Sequence, residues 1–576
     1  MIRKFTLVVA FVCAGFMAFA TADWRHGERQ DIWPDGKTPD FQAHQVAAMT
    51  DETEAERGTM PYLEWFEAPA KPNGACMILV SGGSYECCCD VGLIKLWRDT
   101  FTKLGYQTVN LVYRTPRPKG LAIYQTAWED GQRAVRLVRA QAAKRGFDPE
   151  KIGVIGMSAG GHLVTMLATS ALTPSYAKID AIDDLPCHVN VAIANAPAYN
   201  TVGAANGSAR PEDGRMIVPS VNPCFKFDAK TCPISFHHGG MDPYTPNGST
   251  LCYRELRKRG IPTELHLYSD QGHGAYGLER AVEFLNQIEF ASKLAPAEAL
   301  MKRYASDDAR ASCEKQNIWP EGLMPDVRTN QCMPYLEWHM PKTLKTKAIQ
   351  IIYSGGGYGA SVPGGFEVAP MRRYLNEKGM TVVTMMYRVP RPAGLPKHQT
   401  AWEDLQRAIR LVRSQAEKRG LDPNRIGIMG SSAGGHLTML GVTSSRRDAY
   451  APIDDLDKIP CKVQWGVAIY PAYMLTDGAD DCNVQKGNDD ANVLVREMLF
   501  DMDTAPVVFI HGDADGFSAM GSVKSWEQMR KMGVQSDLHT LALREHCFQR
   551  EASPGTGSYT WMDRVWEFLT SKGFNK

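Results

Sequence analysis

Short apolar runs alternate along this chain with segments whose apolar positions recur every three or four residues. The runs at 77–80 and 108–113, and again at 349–353 and 381–387, are typical of buried β-strands. Each pair is followed by a segment with one apolar helical face, and the two segments stop at a glycine. This alternation predicts a mostly parallel sheet with helices on both faces.

The two helical segments also carry matching start and stop signals. Thr126 is followed three residues later by Glu129, and Thr400 is followed in the same way by Glu403. This spacing is a capping box, in which the glutamate reaches back to the backbone N–H of the capping threonine. The sequence therefore predicts two helices that are capped by these threonines. We expect them to end at Gly146 and Gly420, because glycine commonly terminates a helix.

The whole pattern occurs twice. Aligning 126–163 with 400–437 without gaps gives 28 identical residues in 38 positions. The copies lie 274 residues apart, far beyond the period of a solenoid repeat, so each copy is a complete domain. The predicted organisation is a signal segment at 1–22, a first domain at 23–296, a linker at 297–316 and a second domain at 317–576.

Each copy carries one chemical motif at the end of its next apolar run. The runs at 152–155 and 426–429 lead into Gly-x-Ser-x-Gly, centred on Ser158 and Ser432, and then into a helix. A strand, a nucleophilic serine and a helix follow one another in this order in α/β-hydrolases. The flanking glycines allow the sharp turn that raises the serine hydroxyl. We therefore predict two tandem α/β-hydrolase domains.

A serine hydroxyl becomes a nucleophile when a histidine takes its proton and an acid orients that histidine. In α/β-hydrolases the acid and then the histidine follow the serine along the chain. The matching residues are Asp242 and His273 in the first copy, and Asp515 and His546 in the second, 31 residues apart in both. These residues complete two predicted triads. Asp513 is a rival acid, although the first copy has glycine in its place.

Four further histidines lie close to these motifs. His238 and His511 end the strand before each acid, and we interpret them as structural. His162 and His436 follow each nucleophile by four residues on the predicted helix. We interpret this second pair as packing or hydrogen-bonding residues.

Acyl transfer also needs backbone N–H donors for the negative oxygen of the tetrahedral intermediate. One donor is expected from the residue after the serine, and others from the glycine loop after the first strand. Left-handed backbone costs a residue with a Cβ about 1–2 kcal/mol, so a serine in one loop predicts a slower first site. The predicted donors are Gly83, Ser84 and Ala159 in the first copy, and Gly356, Gly357 and Ala433 in the second.

Composition narrows the remaining possibilities. The chain is 44% apolar and has a formal net charge of zero, which gives no basic excess for a nucleic-acid partner. A basic start, an apolar run at 5–20 and Ala20-Thr21-Ala22 predict a signal peptide cleaved after Ala22. That run is short for a membrane span. We expect a secreted or periplasmic protein with no membrane association after cleavage.

The chain has 14 cysteines, of which Cys13 lies in the signal segment. The run at 87–89 lacks further cysteine or histidine ligands at metal-binding spacing, so we predict neither a metal nor a cofactor. Sequence alone does not fix disulfide connectivity. Two pairs are close enough in sequence to be candidates: Cys224 with Cys232, and Cys461 with Cys482.

Both halves resemble the carbohydrate-esterase branch of the α/β-hydrolases, namely bacterial acetyl xylan esterase and feruloyl esterase-like (BD-FAE-like) domains, and more distantly hormone-sensitive-lipase-like esterases. The resemblance rests on the glycine loops at 81–85 and 354–358, the Tyr-Arg pair after the second strand, Gly-x-Ser-Ala-Gly-Gly-His, and the Asp and His turns. Such relatives usually have His-Gly-Gly-Gly in the loop, and serine replaces that histidine in both copies here. The resemblance implies a serine esterase that removes acetyl or feruloyl-type groups from plant cell-wall polysaccharide.

Two alternatives stay open at this point. A serine exopeptidase shares this fold and triad, although such enzymes usually add a gating domain that has no counterpart in this sequence. One copy could instead be a silent structural or sugar-binding domain, against which both retained triads argue. The acyl group, the sugar and the oligomeric state are not readable from the sequence.

Overall fold

The computed structural model describes residues 27–52, 58, 60–202, 220–291, 314–328, 330–476, 492–551 and 556–576. The chain divides into two compact units, 1–263 with 271–294, and 264–270 with 295–576. The predicted signal segment and most of the predicted linker lie outside the described residues, so the predicted domain boundaries stay predictions. No helix in the described part combines the length and the apolar character that a bilayer crossing requires.

The first unit alternates strands and helices, as the apolar pattern predicts. Its helices are α1 (Val91–Lys103), α2 (Gln125–Arg145), α3 (Ala159–Thr169), α4 (Asn247–Lys258) and α5 (Leu278–Gln287), with a 3₁₀ turn at Ala181–Asp184. Its strands are β1 (Glu28–Asp31), β2 (Tyr62–Trp65), β3 (Cys76–Val80), β4 (Gln107–Val112), β5 (Ile152–Met157), β6 (Val191–Asn195), β7 (Ile234–Gly239) and β8 (Thr263–Tyr268), the last of which begins in this unit.

The strands of the first unit lie in the order β1-β2-β4-β3-β5-β6-β7. The strands from β4 to β7 run parallel, and β1 and β2 add an antiparallel edge. Helix α3 packs on β5 and β6, and α1 packs on β3 and β4. Because helices cover the sheet, β3 and β4 are buried along their whole length.

The second unit repeats this alternation. Its helices are α6 (Ala369–Glu377), α7 (Gln399–Ala416), α8 (Ala433–Thr443), α9 (Met520–Lys531) and α10 (Gly557–Ser571), with 3₁₀ turns at Glu417–Arg419, Asp455–Lys458 and Phe548–Glu551. Its strands are β9 (Lys315–Asn317), β10 (Tyr335–His339), β11 (Ile349–Tyr353), β12 (Thr381–Met386), β13 (Ile426–Ser431), β14 (Trp465–Ile469), β15 (Leu475–Thr476), β16 (Val493–Leu494), β17 (Val507–Gly512) and β18 (Asp537–Leu541).

The main sheet of the second unit has the order β9-β10-β12-β11-β13-β14-β17-β18. The strands from β12 to β18 run parallel, and β15 pairs with β16 apart from this sheet. Both predicted helix stops are confirmed, because Gly146 and Gly420 end their helical segments with a φ of 74°. The predicted fold, a mostly parallel sheet with helices in each copy, is confirmed.

The predicted capping boxes are wrong. Helix α2 begins one residue before Thr126, and its N-cap residue Tyr124 makes no side-chain cap hydrogen bond. Glu129 instead accepts a hydrogen bond from the buried guanidinium of Arg114 at 2.9 Å. Glu403 is paired with a buried arginine in the same way in the second unit. A buried arginine has to be paired, and this requirement takes the glutamate away from the helix terminus.

Candidate active site

Ser158 and Ser432 occupy the tight turns between β5 and α3 and between β13 and α8. Their backbone angles are nearly identical, with φ 57° and ψ −118° for Ser158 and φ 56° and ψ −120° for Ser432. A serine at positive φ carries backbone strain of about 1–3 kcal/mol, which the surrounding fold has to hold in place. Both serines are almost fully buried, at 5% and 7% exposure. The predicted nucleophile turn is therefore present in both units.

Glycines make this turn sterically possible. A Cβ on Gly156 would lie 2.4 Å from the carbonyl oxygen of Gly160, and a Cβ on Gly430 would lie 2.4 Å from that of Gly434. Strand and helix backbones meet at these positions more closely than any side chain allows. The motif glycines are therefore required for the close approach that turns the chain at the serine.

The second unit brings its three predicted triad residues together. Ser432 Oγ lies 2.7 Å from Nε2 of His546, and Nδ1 of His546 lies 2.8 Å from Oδ2 of Asp515. Asp515 follows β17 and His546 follows β18, so the predicted acid and the predicted base both lie at the ends of parallel strands. The histidine bond goes to Asp515, which favours Asp515 over Asp513 as the orienting acid.

The first unit brings its acid and histidine together but leaves the serine apart. Nδ1 of His273 lies 2.8 Å from Oδ2 of Asp242. In the described part of this unit, no hydrogen bond joins Ser158 to His273. Catalytic hydrogen bonds are often long in a protein without substrate and tighten in the complex, so Ser158 stays a candidate nucleophile.

The acids remain ionised although they are buried. Burial acts to raise the pKa of Asp515, but hydrogen bonds from His511 and His546 outweigh it and lower that pKa to about 2. The pKa of Asp242 is likewise lowered, with burial opposing and hydrogen bonds from His238 and His273 prevailing. An ionised acid can hold the N–H of its histidine and stabilise the imidazolium that forms when the serine gives up its proton.

Each acid therefore has a second histidine neighbour. His238 Nε2 lies 3.1 Å from Asp242 Oδ2, and His511 Nε2 lies 3.3 Å from Asp515 Oδ2. The other ring nitrogen of each histidine is hydrogen-bonded to a serine hydroxyl at 2.9 Å. These contacts are consistent with the structural role predicted for both histidines, which stays a prediction. Their contact with the acid could not be predicted from the sequence, because no sequence feature distinguishes them from other histidines at strand ends.

The predicted oxyanion loops pass directly beside the nucleophiles. A Cβ on Gly82 would lie 3.1 Å from Cβ of Ser158, and a Cβ on Gly355 would lie 2.7 Å from Cβ of Ser432. The next two residues have positive φ in both units: Gly83 at 119° and Ser84 at 57°, then Gly356 at 99° and Gly357 at 61°.

Each loop is held by a carboxylate that sequence analysis missed. Asp90 Oδ2 accepts a hydrogen bond from the backbone N of Gly82, and Glu367 Oε2 accepts one from that of Gly355, both at 2.8 Å. The carboxylate lies 8 residues after its glycine in the first unit and 12 in the second. Because the spacing differs, aligning the two copies gives no signal for this pair.

An arginine holds each loop from the other side. Arg117 donates to the carbonyl oxygen of Ser84 and to the hydroxyl of Tyr199, both at 2.9 Å. Arg391 makes the equivalent bonds to Gly357 and Tyr473, both at 2.8 Å. Sequence analysis missed these arginines, although the repeated Arg-x-Pro-Arg-Pro that contains them was a usable signal.

The histidines that follow the nucleophiles pack as predicted. His162 is buried, and its Nδ1 lies 2.7 Å from the hydroxyl of Tyr85. Burial lowers the pKa of His162 to about 3. In the second unit, Nδ1 of His436 lies 2.8 Å from the hydroxyl of Tyr358. Both tyrosines belong to the predicted oxyanion loops, so each histidine is hydrogen-bonded to the loop of its own unit.

The cysteine pairings proposed from sequence need correction. Cys224 and Cys232 are both free thiols, and Cys224 Sγ lies 3.5 Å from His162 Nε2. Cys461 donates to the carbonyl oxygen of Ser445, and its candidate partner Cys482 lies outside the described residues.

Three potential metal ligands that are distant in sequence come together in the second unit, and the prediction that the chain needs no metal stays a prediction. His398, His436 and Glu497 each offer a ligand atom, and these atoms lie within 4.8 Å of one another. The three residues are 38 and 61 positions apart in the sequence, so a search for short ligand spacings cannot find them.

Comparison with known proteins identifies the family. The model of the BD-FAE family matches residues 66–255 and again 336–521, together more than half of the chain. The chain belongs to the BD-FAE family. The predicted resemblance is thereby confirmed, and the two matched segments fall in the first and the second unit, respectively.

Curated proteins similar to parts of this BD-FAE chain include two with xylan-related names. Endo-1,4-beta-xylanase B of Butyrivibrio fibrisolvens is 28% identical over 233 residues, or 38% of this chain and 35% of the relative. Acetylxylan esterase of Xylanibacter ruminicola is 33% identical over 98 residues, or 16% of this chain and 18% of the relative. The matches thus span only about a third or less of these relatives.

Solved structures similar to the BD-FAE chain include two hydrolases. The acetyl ester-xyloside bifunctional hydrolase of Caldicellulosiruptor lactoaceticus has 24% identity and a TM-score of 0.38, covering 46% of this chain and 97% of that one. Esterase 2 of Thermogutta terrifontis, phosphoramylated by tabun, has 22% identity and a TM-score of 0.38, covering 46% of this chain and 96% of that one.

Proposed function

We propose that the protein is a serine esterase with two active sites, which removes acetyl or feruloyl-type acyl groups from plant cell-wall polysaccharide. The observation that carries this proposal is the continuous chain of hydrogen bonds from Ser432 through His546 to Asp515. The imidazole of His546 is partly exposed and lies beside a serine held at positive φ, which is the arrangement that acyl transfer needs.

In the proposed reaction, Ser432 Oγ attacks the ester carbonyl carbon while its proton passes to Nε2 of His546. The carbonyl oxygen becomes an oxyanion and accepts hydrogen bonds from backbone N–H groups of Ala433 and the Gly356–Gly357 loop. The C–O bond to the alcohol then breaks, and His546 returns the proton to the departing alcohol. Water repeats the sequence on the acyl-enzyme and releases a carboxylic acid.

Two observations support a carbohydrate ester as substrate. The relatives named above include an acetylxylan esterase and a xylanase. In addition, a half-buried aromatic ring lies beside each catalytic histidine: Tyr244 at 4.7 Å from His273 and Phe517 at 4.8 Å from His546, between ring centroids. Such a ring offers an apolar face against which a sugar ring can pack.

The test is active-site labelling followed by peptide mass spectrometry. A fluorophosphonate should modify Ser432, and Ser158 in the first unit, and Asp515→Asn should suppress the label on Ser432. Ser431→Ala is the matched control, because Met157 stands at that place in the first unit. Label on Ser431, or hydrolysis of dipeptidyl amides in preference to acetylated xylan, would overturn the proposal.

We also propose that the chain is exported and folds as two separate domains. Residues 1–22 would act as the signal, so the mature protein would begin at Asp23. The domains would span 23–296 and 317–576, joined by the linker at 297–316. N-terminal sequencing of protein from the culture medium or periplasm tests the first statement, and limited proteolysis within the linker tests the second.

A further inference from the structure

A second cluster of reactive side chains lies behind the nucleophile helix of the second unit. His398 forms the N-cap of α7, His436 lies in α8, and Glu497 lies between β16 and β17. Glu497 Oε1 is 3.4 Å from His436 Nε2 and 3.9 Å from His398 Nδ1. Three separate elements therefore direct one ligand atom each to a common point.

Both imidazole nitrogens at this point lack a hydrogen-bond partner among the described residues. His436 is fully buried and His398 is 8% exposed. Leaving a buried polar atom without a hydrogen bond is unfavourable. A metal ion that accepts electron pairs from both nitrogens and from the carboxylate would satisfy all three groups at once.

We propose that His398, His436 and Glu497 bind one divalent transition-metal ion, with zinc as the ion that fits best. Two ligand atoms about 2.1 Å from a tetrahedral ion lie about 3.4 Å apart. The separation of 3.4 Å matches this value, the separation of 3.9 Å is longer, and all three ligand atoms lie within 4.8 Å of one another, so the side chains would have to close around the ion. Two imidazoles and one carboxylate form a ligand set that zinc accepts, and they leave a fourth position open.

An outer partner orients one of the ligands. The other ring nitrogen of His436 is 2.8 Å from the hydroxyl of Tyr358. Hydrogen bonds of this kind fix the ring and the tautomer of a metal-ligating histidine. Tyr358 follows the glycine pair of the oxyanion loop, so the ion would tie that loop to α7 and α8. It would hold structure and take no part in the proposed acyl transfer.

The first unit provides an internal contrast. Tyr124 stands where the second unit has His398, and Cys224 stands where it has Glu497, while His162 corresponds to His436. His162 Nε2 there lies 3.5 Å from Cys224 Sγ, so its nitrogen has a neighbour in place of an ion. The proposed site is therefore specific to the second unit.

The experiment is a zinc titration of the full chain after treatment with a chelator and dialysis. Calorimetry and elemental analysis should give one zinc per chain, and zinc should raise the melting temperature. Cobalt at the same site should show visible d–d absorption. His398→Tyr and Glu497→Gln should each abolish this binding, and Tyr358→Phe should weaken it roughly 10- to 100-fold.

The matched control is His188→Gln, which removes a histidine 3.3 Å from Glu150 in the first unit and should leave one zinc per chain. Circular dichroism checks that each variant folds. If Glu497→Gln does not fold, His398→Tyr decides, because it introduces the side chain that the first unit accommodates. No retained zinc in the parent chain, or one zinc in both His398→Tyr and Glu497→Gln, would overturn the proposal.

Discussion

The two oxyanion loops differ at one residue, and that residue allows the two proposed sites to be ranked. Ser84 has φ 57° and the equivalent Gly357 has φ 61°, so both residues have the same left-handed φ. Serine carries a Cβ into this conformation and glycine does not. We predict that the second site is the faster one on acetyl esters.

The magnitude follows from the geometry. Left-handed backbone costs Ser84 about 1–2 kcal/mol relative to glycine. An interaction between its hydroxyl and Tyr199 offsets part of this, because a neutral hydrogen bond is worth about 0.5–1.5 kcal/mol. A net cost of about 0.5–1 kcal/mol lowers the population of the loop conformation that donates to the oxyanion. This should slow the first site roughly two- to fivefold.

The assay compares initial rates of Ser158→Ala and Ser432→Ala on one acetyl ester. Ser158→Ala should keep most of the activity, and Ser432→Ala should keep roughly a sixth to a third of it. A reciprocal exchange isolates the loop. Gly357→Ser in the Ser158→Ala chain should slow hydrolysis, and Ser84→Gly in the Ser432→Ala chain should accelerate it.

Gly364→Ala is the control for the exchange, because its Cβ would meet nothing within 4 Å. The reasoning fails if Ser158→Ala removes most of the activity, because the first site would then be dominant. It also fails if neither exchange at positions 84 and 357 changes a rate. In that case the missing Ser158–His273 hydrogen bond, and not the loop, would distinguish the two sites.

Three further predictions concern the second unit and use the Ser158→Ala chain. Asp515→Asn should lower turnover by roughly 10³–10⁴ because His546 loses its correct tautomer, whereas Asp513→Asn should change it little; the reverse order would mean that the acid is misassigned. Gly356→Ala should lower turnover about 10²–10³-fold, because its Cβ would lie 2.3 Å from a carbonyl oxygen and the loop would have to move. Gly359→Ala should not lower turnover, because the nearest atom to its Cβ would be 3.6 Å away. Equal effects of the two substitutions would contradict the proposed loop role. The pKa of Asp515 in the folded protein lies below its usual 3.8, so its carboxylate should stabilise the fold by about 2 kcal/mol above pH 4. This contribution should be lost as the pH falls through about 2. Unfolding measurements from about pH 5 to pH 2 should show this dependence, and Asp515→Asn should remove it.

The part of the fold and site that was predictable from sequence has a clear physical origin. Strand and helix periods differ, so the apolar pattern separates the two kinds of element. The duplication then acts as an internal alignment, and the equal interval of 31 residues pairs Asp242 with His273 and Asp515 with His546. These residues lie just after the ends of strands, and the apolar pattern predicts the positions of strand ends well.

The features that could not be predicted depend on contacts between distant parts of the chain. The capping box at Thr126 failed because Arg114, 15 residues before Glu129, attracts that glutamate more strongly than the helix terminus does. Asp90 and Glu367 support equivalent loops from positions that do not align. No local pattern encodes such choices, because side chains select partners by their positions in the folded protein.

The difference between the two units bears on what their buried polar groups do. Every residue proposed for acyl transfer is the same in both units apart from Ser84 and Gly357. Behind the nucleophile helix, however, the second unit carries His398 and Glu497 where the first carries Tyr124 and a cysteine. His398 is buried and Glu497 is half-buried, and burying an ionisable group costs free energy unless it has a partner. Neither residue belongs to the proposed triad, and a bound ion is the partner that would satisfy the imidazoles and the carboxylate together.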